Sequence, residues 1–200
     1  PVVRQTIKDL PITKEIIDTA YDNNIQIPAI MAAYRIPGMT SKEAKALEMA
    51  SAVLSQGNSS RMFKKMVDDK KNSLQVGSFS YSLEDYGAYI TYALPNNDTP
   101  LDTLLKDIDD EVIKLQNQLI TADEFTKLQN QFENDFVGAN SKMLGVAENL
   151  ADGYTFYKNT NNINTQLDEI RKVTRQDIQD VAKKYLNKNQ RVVLYYLPKK

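Results

Sequence analysis

The stretch that most constrains the fold runs from Thr40 to Leu83, because the hydrophobic period changes inside it from that of a helix to that of a strand. Thr40 stands three residues before Glu43, the spacing of a capping box, and Ala46, Met49, Ala50, Val53 and Leu54 then recur at helical intervals. One apolar and one wet helix face follow from that pattern. Gly57 stops the helix, and Ser59 or Ser60 is placed to accept from the orphan amides of a second one, whose buried side is Met62, Phe63, Met66 and Val67. From Leu74 the period is two, so a strand follows.

Upstream, residues 1 to 13, with Pro1 and Pro11, read as an extended lead-in. Lys14 to Tyr21 and Ile25 to Ile36 flank the turn-forming Asp22-Asn23-Asn24 and read as the arms of a hairpin. Pro28 has no amide donor, so its arm is expected to be an edge there or to carry a bulge. Pro37-Gly38 ends it.

Downstream, Leu74 to Leu83 and Tyr86 to Leu94 read as an antiparallel pair, with Tyr86, Ala88, Ile90, Tyr92 and Leu94 on one face. Thr99-Pro100-Leu101-Asp102 opens a long helix lined on one side by Leu101, Leu104, Leu105, Ile108, Val112, Leu115 and Leu119. Thr121 and Glu124 repeat the capping-box spacing ahead of Phe125, Leu128, Phe132 and Phe136. Met143, Val146, Ala147, Leu150 and Tyr154 resume the period, so the segment to about Tyr157 is one helix kinked near Gly138 or two helices. After the asparagine-rich loop Lys158 to Asn164 come a short helix near Thr165 to Val173 and a further helix capped at Thr174, with Asp177 in its first turn. Ile178, Val181, Ala182, Tyr185 and Leu186 form the apolar face of that helix. Asn187 to Asn189 closes it, and Val192 to Leu197 is a final strand apolar enough to be covered on both sides.

Strands bunched in this way argue for an α+β fold: a two-layer sandwich of a mostly antiparallel sheet with helices packed on one face. A chain of 200 residues buries roughly 70% of the surface it exposes when unfolded, which suits a single domain spanning residues 1 to 200. Its opening at Pro1 in place of a methionine reads as an excised domain of a longer chain or a processed product.

Histidine and cysteine are both absent. Without imidazole there is no Ser-His-Asp triad and no histidine-held metal; without thiols there is no disulfide, thiolate ligand or cysteine nucleophile. An all-carboxylate or lysine-based site stays open, but no motif supports one, so no catalytic, cofactor-binding, metal-ligating or substrate-contacting residue is assigned. Acidic and basic residues, 26 and 25, nearly cancel, so nothing in the net charge calls for nucleic acid. No apolar run of about 18 residues is present to span a bilayer. Asp107, Asp109, Asp110 and Glu111 crowd the long helix, yet successive helical residues point in different directions and cannot converge on one ion, so they read as a solvated face. Asp68, Asp69, Lys70 and Lys71 read as a charged helix end. Most of the 11 tyrosines, Tyr92 and Tyr185 among them, read as core packing. Ser59-Ser60-Arg61 lacks the glycines of a phosphate loop or nucleophile elbow and reads as a helix cap with an arginine on the first turn.

The runs Gln56 to Val67, Ala33 to Pro37, Val173 to Ile178, Tyr185-Leu186 and Val192 to Tyr196 together resemble the C-terminal, non-zinc-binding domain of pitrilysin- or insulinase-type zinc metallopeptidases. That family includes insulin-degrading enzyme and the mitochondrial processing peptidases, and the likeness, over nearly the whole chain, is to bacterial members. The resemblance implies paired α+β domains in each half-enzyme and two halves that close around an unfolded peptide. It also implies a zinc held by His-x-x-Glu-His plus a distal Glu, whose first Glu activates the bound water. A chain without histidine lacks that site, so zinc is expected in a partner domain or partner half. In the family's non-catalytic half an arginine and a tyrosine seven residues apart grip the substrate carbonyl. Here those positions fall on Val67 and Leu74, whose side chains cannot donate, which leaves open a domain of the zinc-bearing half or a degenerate structural one.

The expected function is therefore that of a non-catalytic, substrate-enclosing and docking domain, excised from the longer chain of a zinc endopeptidase acting on peptides. Ile25 to Ile36 is the candidate edge for pairing with extended substrate. The expected partners are a zinc-bearing peptidase domain or subunit and a peptide. The alternatives are a proteolytically inactive scaffold or assembly subunit of the same fold, and an independent peptide-binding module. The resemblance leans toward a bacterial exported or periplasmic protein.

Overall fold

The structure, a computed structural model, describes residues 10–199; most of the extended lead-in lies outside these residues. The elements run β1 (Ile16–Asp22), β2 (Ala29–Pro37), α1 (Ala44–Ser55), a π-helix (Phe63–Asp69), β3 (Ser73–Ser82) and β4 (Tyr86–Pro95). There follow α2 (Leu101–Asn117), α3 (Ala122–Asn140), α4 (Met143–Thr155), α5 (Asn162–Lys172), α6 (Arg175–Tyr185) and β5 (Arg191–Pro198). The five strands form one sheet in the order β1-β5-β2-β4-β3. Only the β1–β5 pair is parallel, so the sheet is mostly antiparallel, as the sequence predicts.

The hairpin expected of the first two strands does not form. Asn23 and Asn24 do turn the chain, with Asn24 N–H bonded to Asp22 Oδ1 at 2.8 Å, but β5 lies between β1 and β2 and pairs with both. Turn chemistry sets a reversal and not the partner. The residues from Asn23 to Pro28 suffice to step across one intervening strand, about 10 Å in all. Pro28 precedes β2, so its missing amide disturbs no ladder, and the irregularity it was expected to cause is found instead in β3, between Ser73 and Gln75.

One sheet face is covered. Ile30, Ala32, Tyr34 and Ile36 of β2, Tyr89 and Ala93 of β4 and Val193 of β5 point into a core completed by Leu47 and Leu54 of α1, Met62 and Met66, Leu104, Ile108 and Leu115 of α2, and Ile178 and Ala182 of α6. The π-helix departs from the α-helix the apolar spacing predicts: Lys70 N–H reaches Lys65 O, five residues back, at 3.1 Å. α3 and α6 begin with the expected capping boxes, Glu124 N–H on Thr121 Oγ1 and Asp177 N–H on Thr174 Oγ1, both at 3.1 Å. α1 does not. There Ser41 Oγ accepts from Glu43 N–H, and the Glu43 carboxylate is taken by Lys184 and Tyr185 across the helix pair. Thr99 likewise turns its hydroxyl back onto Asn96 O. Gly138 stays helical within α3, and the chain breaks at Ser141-Lys142, which settles the two-helix alternative. Gly38 is required by close approach, since a Cβ there would stand 2.2 Å from the Glu84 carbonyl oxygen.

Candidate functional site: the open sheet face and its edges

The alternation read in β4 is present, but with its faces exchanged. Tyr89, Thr91, Ala93 and Pro95 are buried under the helices, whereas Tyr86, Ala88, Ile90, Tyr92 and Leu94, the row expected to pack the core, lie on the other side. Among the described residues no helix covers that side. Register extends the row across the sheet: Val192 opposite Ala33, Ala33 opposite Ile90, Ile90 opposite Phe79, and in the next layer Leu194 opposite Met31 and Met31 opposite Tyr92. The result is an apolar and aromatic surface across β5, β2, β4 and β3. Phe79 and Tyr92 meet edge to face with centroids 6.5 Å apart, Gln75 Nε2 donates to Tyr92 Oη at 3.0 Å, and the Arg35 guanidinium sits 5.8 Å from the Tyr86 ring centroid. Tyr92 thus belongs to this face and not to the core, while Tyr34 and Tyr89 are fully buried. Tyrosine, methionine and arginine dominate the centre of this surface, and the carboxylates Asp18 and Asp22 stand at its β1 margin; the centre has the composition of an interface.

Ile25 to Ile36 is not an edge: β2 is the central strand, with β5 on one side and β4 on the other. The true edges are β1 and β3, and on each a side chain engages the outward backbone of one residue. On β3 the outward Ser78 N–H donates to Ser55 Oγ at 2.7 Å, and the same hydroxyl lies 3.0 Å from Ser78 O, so α1 occupies both backbone groups. On β1, Thr19 N–H donates to the Asp18 carboxylate at 2.8 Å. An incoming strand would have to displace these bonds, which is how natural sheets resist edge pairing.

The acidic residues of α2 are not a solvated face. Asp107, Asp109 and Glu111 are only 2%, 6% and 4% exposed, and each is neutralised by a different cation. Lys70 Nζ and Asn72 Nδ2 (2.8 Å) hold Asp107, Lys114 holds Glu111 at 2.6 Å, and Asp109 is gripped by Arg191 at the start of β5, with Lys188 2.8 Å away. Arg191 also donates to Tyr34 Oη at 3.0 Å and to Glu15 at 2.7 Å. Burial works against the Arg191 charge, but the bonds to Asp109 and Tyr34 outweigh it and hold the guanidinium above its ordinary range; burial pushes the Tyr34 phenol up. The acids diverge as helical geometry requires, and among the described residues no three acidic side chains are set to hold a metal ion. For Asp107 and Asp109 the missed signal lay in cations remote in sequence, Lys70 and Arg191, whereas Lys114 stands one helical turn from Glu111.

Val67 lies in the π-helix, partly buried against the core, and Leu74 is the extra residue of the β3 bulge, with its side chain half exposed. Both positions therefore fall on backbone irregularities but present only hydrocarbon. Ser60 does not cap: its buried hydroxyl has no partner, and Ser59 meets Lys127. Arg61 instead forms a fork with Glu124, Nε and Nη2 each 3.0 Å from a carboxylate oxygen, tying the turn ahead of the π-helix to the start of α3.

A family profile described as the peptidase M16 inactive domain matches residues 3–132. The zinc protease PqqE of Helicobacter pylori is 24% identical over 178 residues, 89% of this chain and 40% of that protein. A crystal structure of a protease from Helicobacter pylori superposes with a TM-score of 0.90 at 21% identity, covering 99% of this chain and 47% of that one. The periplasmic protease PqqL of Escherichia coli superposes at 0.73 with 14% identity, over 94% of this chain and 21% of that one. The chain thus spans less than half the length of each of these proteins.

Proposed function

Because this chain belongs to the peptidase M16 inactive-domain family, we propose that it serves as the non-catalytic, docking and substrate-enclosing domain of a pitrilysin-type zinc endopeptidase. The chemistry is supplied by a companion domain or partner half that carries the zinc. The observation that carries this reading is the open sheet face. A two-layer domain whose second sheet face is apolar and aromatic over its central strands presents a ready surface for another domain. Ser55 and Asp18 each engage the backbone of one edge residue, which disfavours strand addition there and favours contact across the face. A periplasmic setting belongs to the same reading, on the likeness to a periplasmic protease.

The test is reconstitution. A half-enzyme bearing His-x-x-Glu-His, encoded in the same reading frame or its neighbour, is assayed on an unstructured peptide with and without this chain. Cleavage is expected only when both are present, with zinc bound to the companion and none to this chain by elemental analysis. Equal cleavage without this chain, or metal-dependent turnover by this chain alone, would refute the reading.

A further inference from the structure

The turn from Gly57 to Ser60, closed by Ser60 N–H on Gly57 O at 3.1 Å, joins α1 to the π-helix. An asparagine followed by a small residue is chemically labile when the next backbone amide can reach its side-chain carbonyl carbon. Three Asn-Ser pairs occur, Asn58-Ser59, Asn72-Ser73 and Asn140-Ser141, and no asparagine precedes a glycine. As sequence the three are equivalent. The fold separates them. Asn72 Nδ2 donates to Asp107 Oδ2 at 2.8 Å, its backbone N–H donates to Met66 O at 3.0 Å, and Ser73 is 3% exposed. Asn140 Nδ2 donates to Phe136 O and its Oδ1 accepts from Asn149, both at 2.9 Å, while the Ser141 amide is committed to Gly138 O at 3.3 Å. Asn58 and Ser59 are exposed, and among the described residues neither the Asn58 side chain nor the Ser59 backbone amide has a hydrogen-bond partner. Nothing lies within 4 Å of where a Gly57 Cβ would stand, so the turn has room to bring the two groups together.

We propose that Asn58 is a site of spontaneous covalent modification, deamidated by its own chain. The Ser59 backbone nitrogen attacks Asn58 Cγ; the new N–Cγ bond closes a succinimide, the Cγ–Nδ2 bond breaks, and Nδ2 leaves as ammonia with the proton that Ser59 N gives up. Water then opens the ring. Hydrolysis at Cγ restores the main chain and leaves aspartate, whereas hydrolysis at the Asn58 backbone carbonyl leaves isoaspartate, with the chain running through Cγ. No oxidant or reductant takes part. Either product makes the chain one charge more negative than its formal −1 at pH 7. The new carboxylate arises one residue from the contact of Ser59 with the Lys127 ammonium, a cation that has no carboxylate among its described hydrogen-bond partners. Isoaspartate also adds a methylene to the main chain inside the turn closed by Ser60 and Gly57, so that turn must widen ahead of the Arg61–Glu124 fork. The modification is independent of the peptidase reading, since it needs only the folded turn and water.

The test ages the 200-residue chain in mildly alkaline buffer, folded and in urea, and follows each Asn-Ser pair by mass spectrometry of tryptic peptides. The peptide from Ala46 to Arg61 contains Asn58 as its one asparagine, so its gain in mass reports that site alone. In the folded chain Asn58 is expected to convert at least about tenfold faster than Asn72 and Asn140. In urea the three rates are expected to draw together, because the dipeptide is the same. Asn58→Gln, whose larger ring closes far more slowly, is expected to suppress the acidic form on ion exchange while its circular dichroism melt matches the parent, since the side chain is exposed. Conversion at Asn58 no faster than at Asn72 and Asn140 in the folded chain, or an acidic form that persists undiminished in Asn58→Gln, would overturn the proposal.

Discussion

Arg191 and Asp109, 82 residues apart in sequence, face each other across the core boundary, with Nη2 3.2 Å from Oδ2 and the second pair closer still. Both side chains are almost wholly removed from water. The pair fixes α2 to the first residue of β5, the strand that separates β1 from β2 and so makes the sheet order what it is.

Removing one member leaves the other charged and buried. Arg191→Met leaves Asp109 buried with Lys188 as its remaining cation and is expected to destabilise the chain by about 3 kcal/mol, and adding Asp109→Leu to recover part of that loss, since Tyr34 and Glu15 still lose the guanidinium. Urea unfolding of the three proteins, followed by circular dichroism, checks both expectations. A double variant no more stable than the single one would contradict the account.

Ser55 closes the β3 edge by satisfying both outward backbone groups of Ser78. Ser55→Ala is expected to cost about 1–2 kcal/mol. It should also speed hydrogen exchange of the Ser78 amide far more than that of residues paired to β4. Exchange rates by NMR decide it, and an unchanged Ser78 amide would show that the edge is protected by something else.

Glu124 serves Arg61 and the α3 capping box together, and the bonds from Arg61, aided by the Thr121 amide and opposed by partial burial, hold its carboxyl near about 2. A depressed folded-state value means that the stabilisation is fully present above the ordinary glutamate range, near 4.5, and is lost as pH falls from there toward 2. With the side chain more than a third exposed, screening limits the effect to about 1 kcal/mol. Stability measured between pH 6 and 3 should therefore fall less steeply in Glu124→Gln than in the parent. Parallel curves would place the acid sensitivity elsewhere.

Gly77 lies under the Tyr92 ring, and a Cβ there would stand 2.3 Å from Cε1. Gly77→Ala is expected to lift the ring from the open face and cost about 1–3 kcal/mol. The near-ultraviolet circular dichroism of the tyrosines should change while the far-ultraviolet spectrum is kept. If neither the tyrosine signal nor stability changes, the ring does not rest on that glycine.

The sequence by itself determined where strands and helices lie and how two of the helices begin. The period of Leu104, Ile108, Val112 and Leu115, and the boxes at Thr121 and Thr174, are written within one or two turns of chain and survive in the structure unaltered. Strict alternation in β4 likewise fixed two faces, but both faces are apolar, so the sequence could not say which one the helices would cover. Only the tertiary structure decided that, placing Tyr89 inside and Tyr92 on the open side. It also decided the strand order, because Asn23-Asn24 sets a reversal and not a partner, and it buried Asp107 and Asp109, because Lys70 and Arg191 come to them from other elements. Local propensity acts over a few residues, whereas burial and charge pairing act between residues that only the folded chain brings together.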